Sequence, residues 1–264
     1  MALQPILERF LKLSSEEGDS KEMTFLEHLE ELRWQIIKGL AGFLVATVVC
    51  IIYADFLVND LLMKPLHNAG LKAQVLAPYG KVMLYMDAIL MGAFIISMPN
   101  TVYWLWKFVA PGLMPKEKRY ISRIVILTSL CFFVGVVFGY IVLIPAALTF
   151  FATFGSPDIA LNISIDHYVS FILALILGSG LVFELPMISY FLTKMGLLTP
   201  AFMRHYRRHA IVVILIIAAV ITPTPDMVTQ VLMALPMFVL YEVSILVCAL
   251  SLKKKVDDTV KEDA

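Results

Sequence analysis

One glutamate stands inside a long run of residues that carry no charge. Glu184 lies in the stretch GSGLVFELPMISYF, with 17 residues before it and nine after it that include no Lys, Arg, Asp or Glu. In a bilayer an unpartnered carboxylate costs at least about 3 kcal/mol. Gly178, Gly180 and Pro186 flank it and predict a bend that turns the side chain towards a wet concavity. Glu184 is therefore a candidate for an intramembrane polar cavity, with a proton relay or a structural hydrogen bond as the alternatives.

A cluster of carboxylates lies near the N-terminus, in the stretch TFLEHLEELRWQII (24–37). Thr24 and Glu27 have the spacing of a capping box, which predicts that a helix begins here. Glu27, Glu30 and Glu31 then share a face that is separate from the apolar one. Such a cluster can hold a cationic partner, or it can be an ordinary solvated helix face.

A further acidic residue stands among bases in the stretch WLWKFVAPGLMPKEKRY (104–120). The prolines and the glycine of this stretch predict a turn between two helices. Glu117 is its only acid and has four bases nearby. The ordinary interpretation is a surface ion pair, which contributes little to stability.

The stretch TPTPD (222–226) interrupts the chain between its last two apolar runs. Asp226 or Thr224 is placed to cap the following helix, and Gln230 lies one turn further on. We interpret these residues as structural or as part of a docking edge for a partner.

The motifs of several enzyme classes are absent from the sequence. There is no GxxxxGK[ST] phosphate loop and no HExxH zinc motif, and no set of Ser, His and Asp is marked out. His205 and His209 have metal-ligand spacing, but the arginines around them disfavour a cation. We expect no catalysis, no metal and no cofactor.

The composition is that of an integral membrane protein. Of the 264 residues, 60% are hydrophobic and 16% are charged, whereas soluble domains are about 45–50% apolar and about 25% charged. The three cysteines are far apart inside apolar runs, and we interpret them as small buried hydrophobic residues.

Uncharged runs predict an all-α, polytopic membrane protein with six transmembrane helices arranged as a concave bundle. The runs are 39–54, 88–106, 124–157, 168–193, 210–221 and 227–241. The third is far longer than the roughly 20 residues needed to cross a bilayer, and Pro145 is expected to kink it. The last two are short, so they form either short spanning helices, which we favour, or a re-entrant hairpin.

The distribution of basic residues predicts the orientation. With six spans, 18 of the 21 Lys and Arg residues fall on the side that holds both termini, which is therefore the cytoplasmic side. We divide the chain into an amphipathic or flexible cytoplasmic segment (1–23), a six-helix membrane domain (24–252) and a cytoplasmic tail (253–264).

Six stretches occur in an order and at spacings that match one family. They are HLEELR (28–33), FVAPGLMPKEKR (108–119), FGYIVLIPAALTFF (138–151), FELP (183–186), TPTPDMVTQ (222–230) and LPMFVLYE (235–242). Together they resemble TatC, the multi-span core subunit of the twin-arginine protein translocase, over residues 24 to 250. The resemblance departs from the family pattern at Gln35, where a second base is common, and at the inserted Thr224.

The resemblance implies a function. Proteins of this family receive folded cargo that bears a twin-arginine signal peptide, recruit small single-span subunits of the TatA and TatB type, and use the proton-motive force. They lie in the bacterial inner membrane as homo-oligomers within larger complexes, without nucleic acid. The signal-binding glutamates fall on Glu31 and Glu117, and the neighbouring motif positions are Arg33, Phe108, Pro111 and Leu113.

Two carboxylates suit two adjacent guanidinium groups, because each pair can form bidentate hydrogen bonds. We expect the partner subunits to dock near Val220 and Ile221, at the outer end of the last two helices. The competing hypotheses are a proton-coupled secondary transporter that uses Glu184 as a relay and an intramembrane enzyme.

Overall fold

A computed structural model describes residues 25–109, 121–156, 162–222 and 226–262. Almost all of this structure is helical. The helices are α1 (Phe25–Ile52), α2 (Lys64–Asn68), α3 (Gly80–Val109), α4 (Ile121–Phe138), α5 (Ile144–Thr153), α6 (Ile165–Val182), α7 (Leu185–Lys194), α8 (Pro200–His205), α9 (Arg207–Ile221) and α10 (Met227–Glu262). The predicted all-α membrane class is confirmed, with one small exception: β1 (Ala73–Gln74) pairs in parallel with β2 (Ile163–Ser164).

Five helical stretches of the described residues are long and apolar enough to cross a membrane. They are Leu29–Ile52, Gly80–Phe108, Ile124–Thr153, Ile165–Lys194 and Met227–Leu252. Helix α9 has 15 residues, which is about 22 Å against a hydrocarbon core of about 30 Å. The sixth span therefore stays a prediction, because α9 crosses only if the bilayer is locally thin.

The third span is interrupted where the sequence predicted a kink. A π-helical segment, Gly139–Leu143, separates α4 from α5, and Pro145 lies in the first turn of α5. Proline lacks an N–H group and crowds the carbonyl of the preceding turn, so regular α-helical bonding cannot continue through it. The wider π turn accommodates that loss.

The fourth span is also divided, and the division falls at the glutamate. Helix α6 ends at Val182, Phe183 and Glu184 form a turn, and α7 begins at Leu185. Pro186 occupies the first turn of α7, where proline is tolerated because that N–H has no intrahelical acceptor.

The flanking glycines, which predicted a bend, also have a role in packing. Gly178 and Gly180 are buried inside α6, where an added Cβ would clash with Ile221 and Phe132. They allow α9 and α4 to approach α6 closely, so their contribution is to packing between helices.

Helix α6 lies at the centre of the bundle. Four of its side chains, Tyr168, Ile172, Leu175 and Ile176, are almost fully buried. The Tyr168 hydroxyl donates to the carbonyl of Leu62, 2.7 Å away, at the end of a second π-helical segment, Leu57–Leu62. Around this centre, α1 packs on α3, α4 packs on α6, and α10 packs on both α7 and α9.

Candidate functional site

Glu184 is buried at the turn between α6 and α7, with 6% of its surface exposed. Neither of its carboxylate oxygens has a hydrogen-bond partner among the described residues. The hydroxyls of Thr128 and Ser129 on the packed helix α4 are buried and unpartnered in the same way. Unpaired buried oxygens are costly, so these three side chains are candidates to contact a polar group or water.

Small residues hold α4 close to the helix that carries the glutamate. The Ser179 hydroxyl donates to the carbonyl of Gly135 over 2.8 Å. A Cβ on Gly135 would lie 2.6 Å from the backbone oxygen of Ser179. This close approach fixes the backbone one turn before Glu184 against α4.

The acidic N-terminal cluster lies at the end of an antiparallel helix pair. Asn100 of α3 donates to the carbonyl of Gly39 on α1 over 3.3 Å, so the first turns of α1 and the last turns of α3 share one end of the bundle. Glu31 is half-buried there, and its Oε2 is buried without a partner in the described structure. Arg33 is exposed, and Phe108 closes the same end of α3.

The other three predicted signal-binding residues belong to the segment of the chain between α3 and α4. Pro111, Leu113 and Glu117 lie outside the described residues. The structure therefore brings Glu31, Arg33 and Phe108 to one end, and their relation to Glu117 stays a prediction.

Polar contacts cap α10 and join it to α9. The Oδ1 atom of Asp226 accepts from the Thr229 N–H over 2.6 Å, which caps α10. Gln230 crosses to α9, where its side-chain amide donates to the carbonyl of Leu215 over 3.0 Å. Arg207 and Glu242 join the same two helices at their other end, with 2.7 Å between charged atoms.

An open apolar groove runs along the outer surface of this helix pair. It is lined by Ile211, Leu215, Val231, Ala234, Leu235 and Phe238. At its end Val220 and Met227 each have 79% of their surface exposed, whereas Ile221 is half-buried and faces Gly178.

Sequence reasoning did not single out three of the polar residues within the membrane. Thr128 and Ser129 leave their hydroxyls unpaired, and Asn100 joins α3 to α1. The available signal was the same as for Glu184, a polar side chain inside an uncharged run. Hydroxyls and amides are common in membrane helices, so that signal is weaker for them than for a carboxylate.

The fold is a polytopic α-helical bundle, and five of its described helical stretches are long and apolar enough to cross a membrane, which defines the class of multi-span membrane proteins. The family model of the Sec-independent protein translocase protein (TatC) matches residues 27–236. The chain belongs to the TatC family.

Relatives and solved structures agree with this membership. The TatC protein of Helicobacter pylori is 42% identical over 224 residues, which cover 83% of this chain and 85% of that protein. The TatC protein of Carboxydothermus hydrogenoformans is 34% identical, with 87% and 94% covered. The crystal structure of a twin-arginine translocase receptor, TatC, superimposes with a TM-score of 0.76 at 33% identity, over 85% of this chain and 99% of that one.

The membership defines the class of function. The chain is a multi-pass membrane protein and a component of a twin-arginine, Sec-independent protein translocase. Its family consists of translocase subunits and not of enzymes.

Proposed function

We propose that this chain is the receptor and scaffold of a twin-arginine translocase in the inner membrane of a bacterium. It binds twin-arginine signal peptides of folded cargo at its cytoplasmic face, and the proton-motive force drives export. Six spans with both termini in the cytoplasm fit the 18 of 21 basic residues on one side. Residues 1–23 and 253–264 flank the membrane domain as cytoplasmic segments.

The observation that carries this proposal is the unpaired oxygen of Glu31. Its Oε2 is buried among the described residues, yet it accepts no hydrogen bond there. A signal-peptide guanidinium supplies the missing donor and neutralises the charge. Glu117 provides the second carboxylate, and Arg33, Phe108, Pro111 and Leu113 shape the surface around the two.

The signal site is tested with a labelled twin-arginine peptide and the purified full chain. A hydrogen bond to a charged group contributes about 1.5–3 kcal/mol, so Glu31→Ala and Glu117→Ala should each raise the dissociation constant by roughly 10- to 150-fold. Glu30→Ala is the matched control, because Glu30 is exposed and adjacent. It should change binding less than twofold.

Two outcomes separate an error in the site from an error in the function. Unchanged binding in both the Glu31 and Glu117 variants would place the site elsewhere. If the unaltered chain binds the twin-arginine peptide no more tightly than a peptide in which both arginines are replaced by lysine, the receptor function itself is wrong.

We further propose that the small single-span subunits, of the TatA and TatB type, dock against α9 and α10. The open groove between these helices is apolar along its length, which matches the side of a single apolar helix. The shortness of α9 leaves Val220 at an edge with 79% exposure. Several copies of the chain then assemble with these subunits in one complex.

Cysteine crosslinking tests this docking surface. In a chain without its native cysteines, a cysteine at Val220 should crosslink to a single-span subunit, and one at the half-buried Ile221 should do so less. The exposed Val45 of α1 is the control position. Crosslinks from Val45 with none from Val220 would rule out this docking edge.

Glu184 provides a polar contact site of the translocase within the membrane. Its two unpaired oxygens fit a polar side chain of a partner helix or water admitted during transport. Its replacement should therefore impair export more than it impairs signal binding.

A further inference from the structure

Two ammonium groups from different helices converge on one indole ring. Nζ of Lys38 lies 4.8 Å from the centroid of Trp104, and Nζ of Lys107 lies 5.1 Å from it. The two nitrogens are thus at most 9.9 Å apart, the sum of these distances. No carboxylate of the described residues lies within 4.0 Å of either ammonium.

The position of the ring is fixed by the packing of α1 on α3. The Trp104 N–H donates to Oδ1 of Asn100 over 3.0 Å. Asn100 in turn donates through Nδ2 to the carbonyl of Gly39, and it fills the space beside Gly42, where an added Cβ would clash. The lysines therefore meet at a rigid platform.

The positions of the uncharged runs indicate that the cluster lies at the level of the lipid headgroups. Lys38 is the charge that precedes the uncharged run 39–54, and Lys107 is the charge that follows the run 88–106. Tryptophan is enriched at the membrane interface, and lysine stems extend along apolar surface to keep the ammonium in a polar layer. Within the described part of the chain no acid pairs with these two cations, so they repel each other in a partly dehydrated layer and favour an anion beside them.

An exposed apolar stripe continues from the cluster into the membrane. Ala41, Val45, Val48 and Ile52 follow Lys38 at helical spacing, and all four are exposed on α1. Val45 has 67% and Ile52 73% of its surface exposed. The stripe offers a hydrocarbon chain a continuous apolar surface that begins at the ammonium groups. A free phosphate ion has no apolar part that could contact this surface, so the stripe favours a lipid over a free phosphate.

We propose that Lys38, Trp104 and Lys107 bind the headgroup of an acidic membrane phospholipid. Both lysines are exposed, so their flexible side chains can bring both ammonium groups to its phosphate, and an acyl chain follows the exposed stripe of α1. The site is independent of signal-peptide binding, because its charge has the wrong sign for arginine and because it requires neither Glu31 nor Glu117.

Native mass spectrometry of the full chain measures this binding with defined lipids. Phosphatidylglycerol should bind more tightly than phosphatidylcholine with the same acyl chains. Each ammonium near an anionic lipid is expected to change affinity about fivefold, so Lys38→Gln combined with Lys107→Gln should weaken phosphatidylglycerol binding on the order of 20-fold.

The matched control removes two lysines elsewhere. Lys64→Gln with Lys72→Gln makes the same change in charge in the segment between α1 and α3 and should alter binding less than twofold. Lys38→Arg with Lys107→Arg should retain affinity within about threefold, since both charges remain. If the elution of the Lys38→Gln and Lys107→Gln double variant on gel filtration shows that it is misfolded, Lys107→Gln alone is the second variant. It should still weaken phosphatidylglycerol binding about fivefold.

Fluorescence quenching locates the lipid at the ring. Trp34→Phe with Trp106→Phe leaves Trp104 as the one tryptophan of the three. Brominated phosphatidylglycerol should then quench it more than brominated phosphatidylcholine at equal mole fraction, and the glutamine pair should abolish the difference. Equal quenching by both lipids, equal affinity for both, or an equal loss in the control pair would overturn the proposal. Inorganic phosphate that displaces the lipid at low millimolar concentration would mark a free-phosphate site instead.

Discussion

Replacing Glu184 by methionine is expected to make the folded chain more stable and the translocase less active. The carboxylate is 6% exposed, and both its oxygens are unpartnered among the described residues. Methionine has a similar length and no polar atom that needs a partner. The substitution therefore removes a penalty of the folded chain without opening a cavity.

The size of the gain follows from the cost of an unsatisfied buried polar group. That cost is about 1–3 kcal/mol, and in a chain of this size 1 kcal/mol shifts the melting temperature by about 2–4 °C. Glu184→Met should thus raise the melting temperature by roughly 2–12 °C. Thermal unfolding followed by intrinsic fluorescence in detergent measures the shift, and Leu185→Met is the control for a volume-conserving swap beside it.

Export and signal binding are measured with the same variant. Export of a folded twin-arginine cargo should fall at least tenfold in cells that rely on Glu184→Met, while peptide binding stays within twofold. Glu184→Gln should retain part of the export, because an amide can still meet a polar group. A lower melting temperature would show that the carboxylate has a stabilising partner in the free chain, and unchanged export would show that transport does not use it.

Three further substitutions, two of them with a matched control, test contacts between helices. Gly135→Ala should lower the free energy of unfolding by about 1–3 kcal/mol, because its Cβ would meet the backbone of α6. Gly39→Ala is the control and should be neutral or stabilising, because its Cβ would meet open space. Equal effects of the two substitutions in thermal unfolding would contradict the close approach of the helices. Tyr168→Phe should lower the free energy of unfolding by about 1–2 kcal/mol, because it leaves the carbonyl of Leu62 without its hydrogen bond. Tyr79→Phe is the control, and it should have no measurable effect because Tyr79 is exposed. Glu242→Gln should shift the melting temperature by less than about 2 °C because exposed ion pairs contribute little, and a larger drop would mean that this ion pair holds the last two helices together.

The candidate site was only partly predictable from the sequence. Glu184 stood out because an acid inside an apolar run has no ordinary explanation in a bilayer. Glu31 was one of three neighbouring acids, and the residues alone did not separate it from a solvated helix face. The structure distinguishes it by the burial of one unpaired oxygen. Its expected counterpart, Glu117, lies outside the described residues, so the pair itself stays a prediction.

The sequence by itself determined the class of the protein, the position of its apolar runs and its family. A bilayer imposes a constraint along the chain, because each span must be apolar and satisfy its own backbone hydrogen bonds, and such a constraint can be read one residue after another. The break before Pro145 and the shortness of α9 follow from the same local rules.

Only the tertiary structure decided which side chains meet. Gly178 and Gly180 predicted a bend, and the structure shows that they also serve close packing, because Ile221 and Phe132 approach them. Lys38 and Lys107 lie in different spans, and their convergence on one indole depends on how α1 and α3 are rotated and staggered against each other. Rotation and stagger arise from the fit of side chains across helices distant in sequence, and a pattern of charged and apolar residues does not encode that fit.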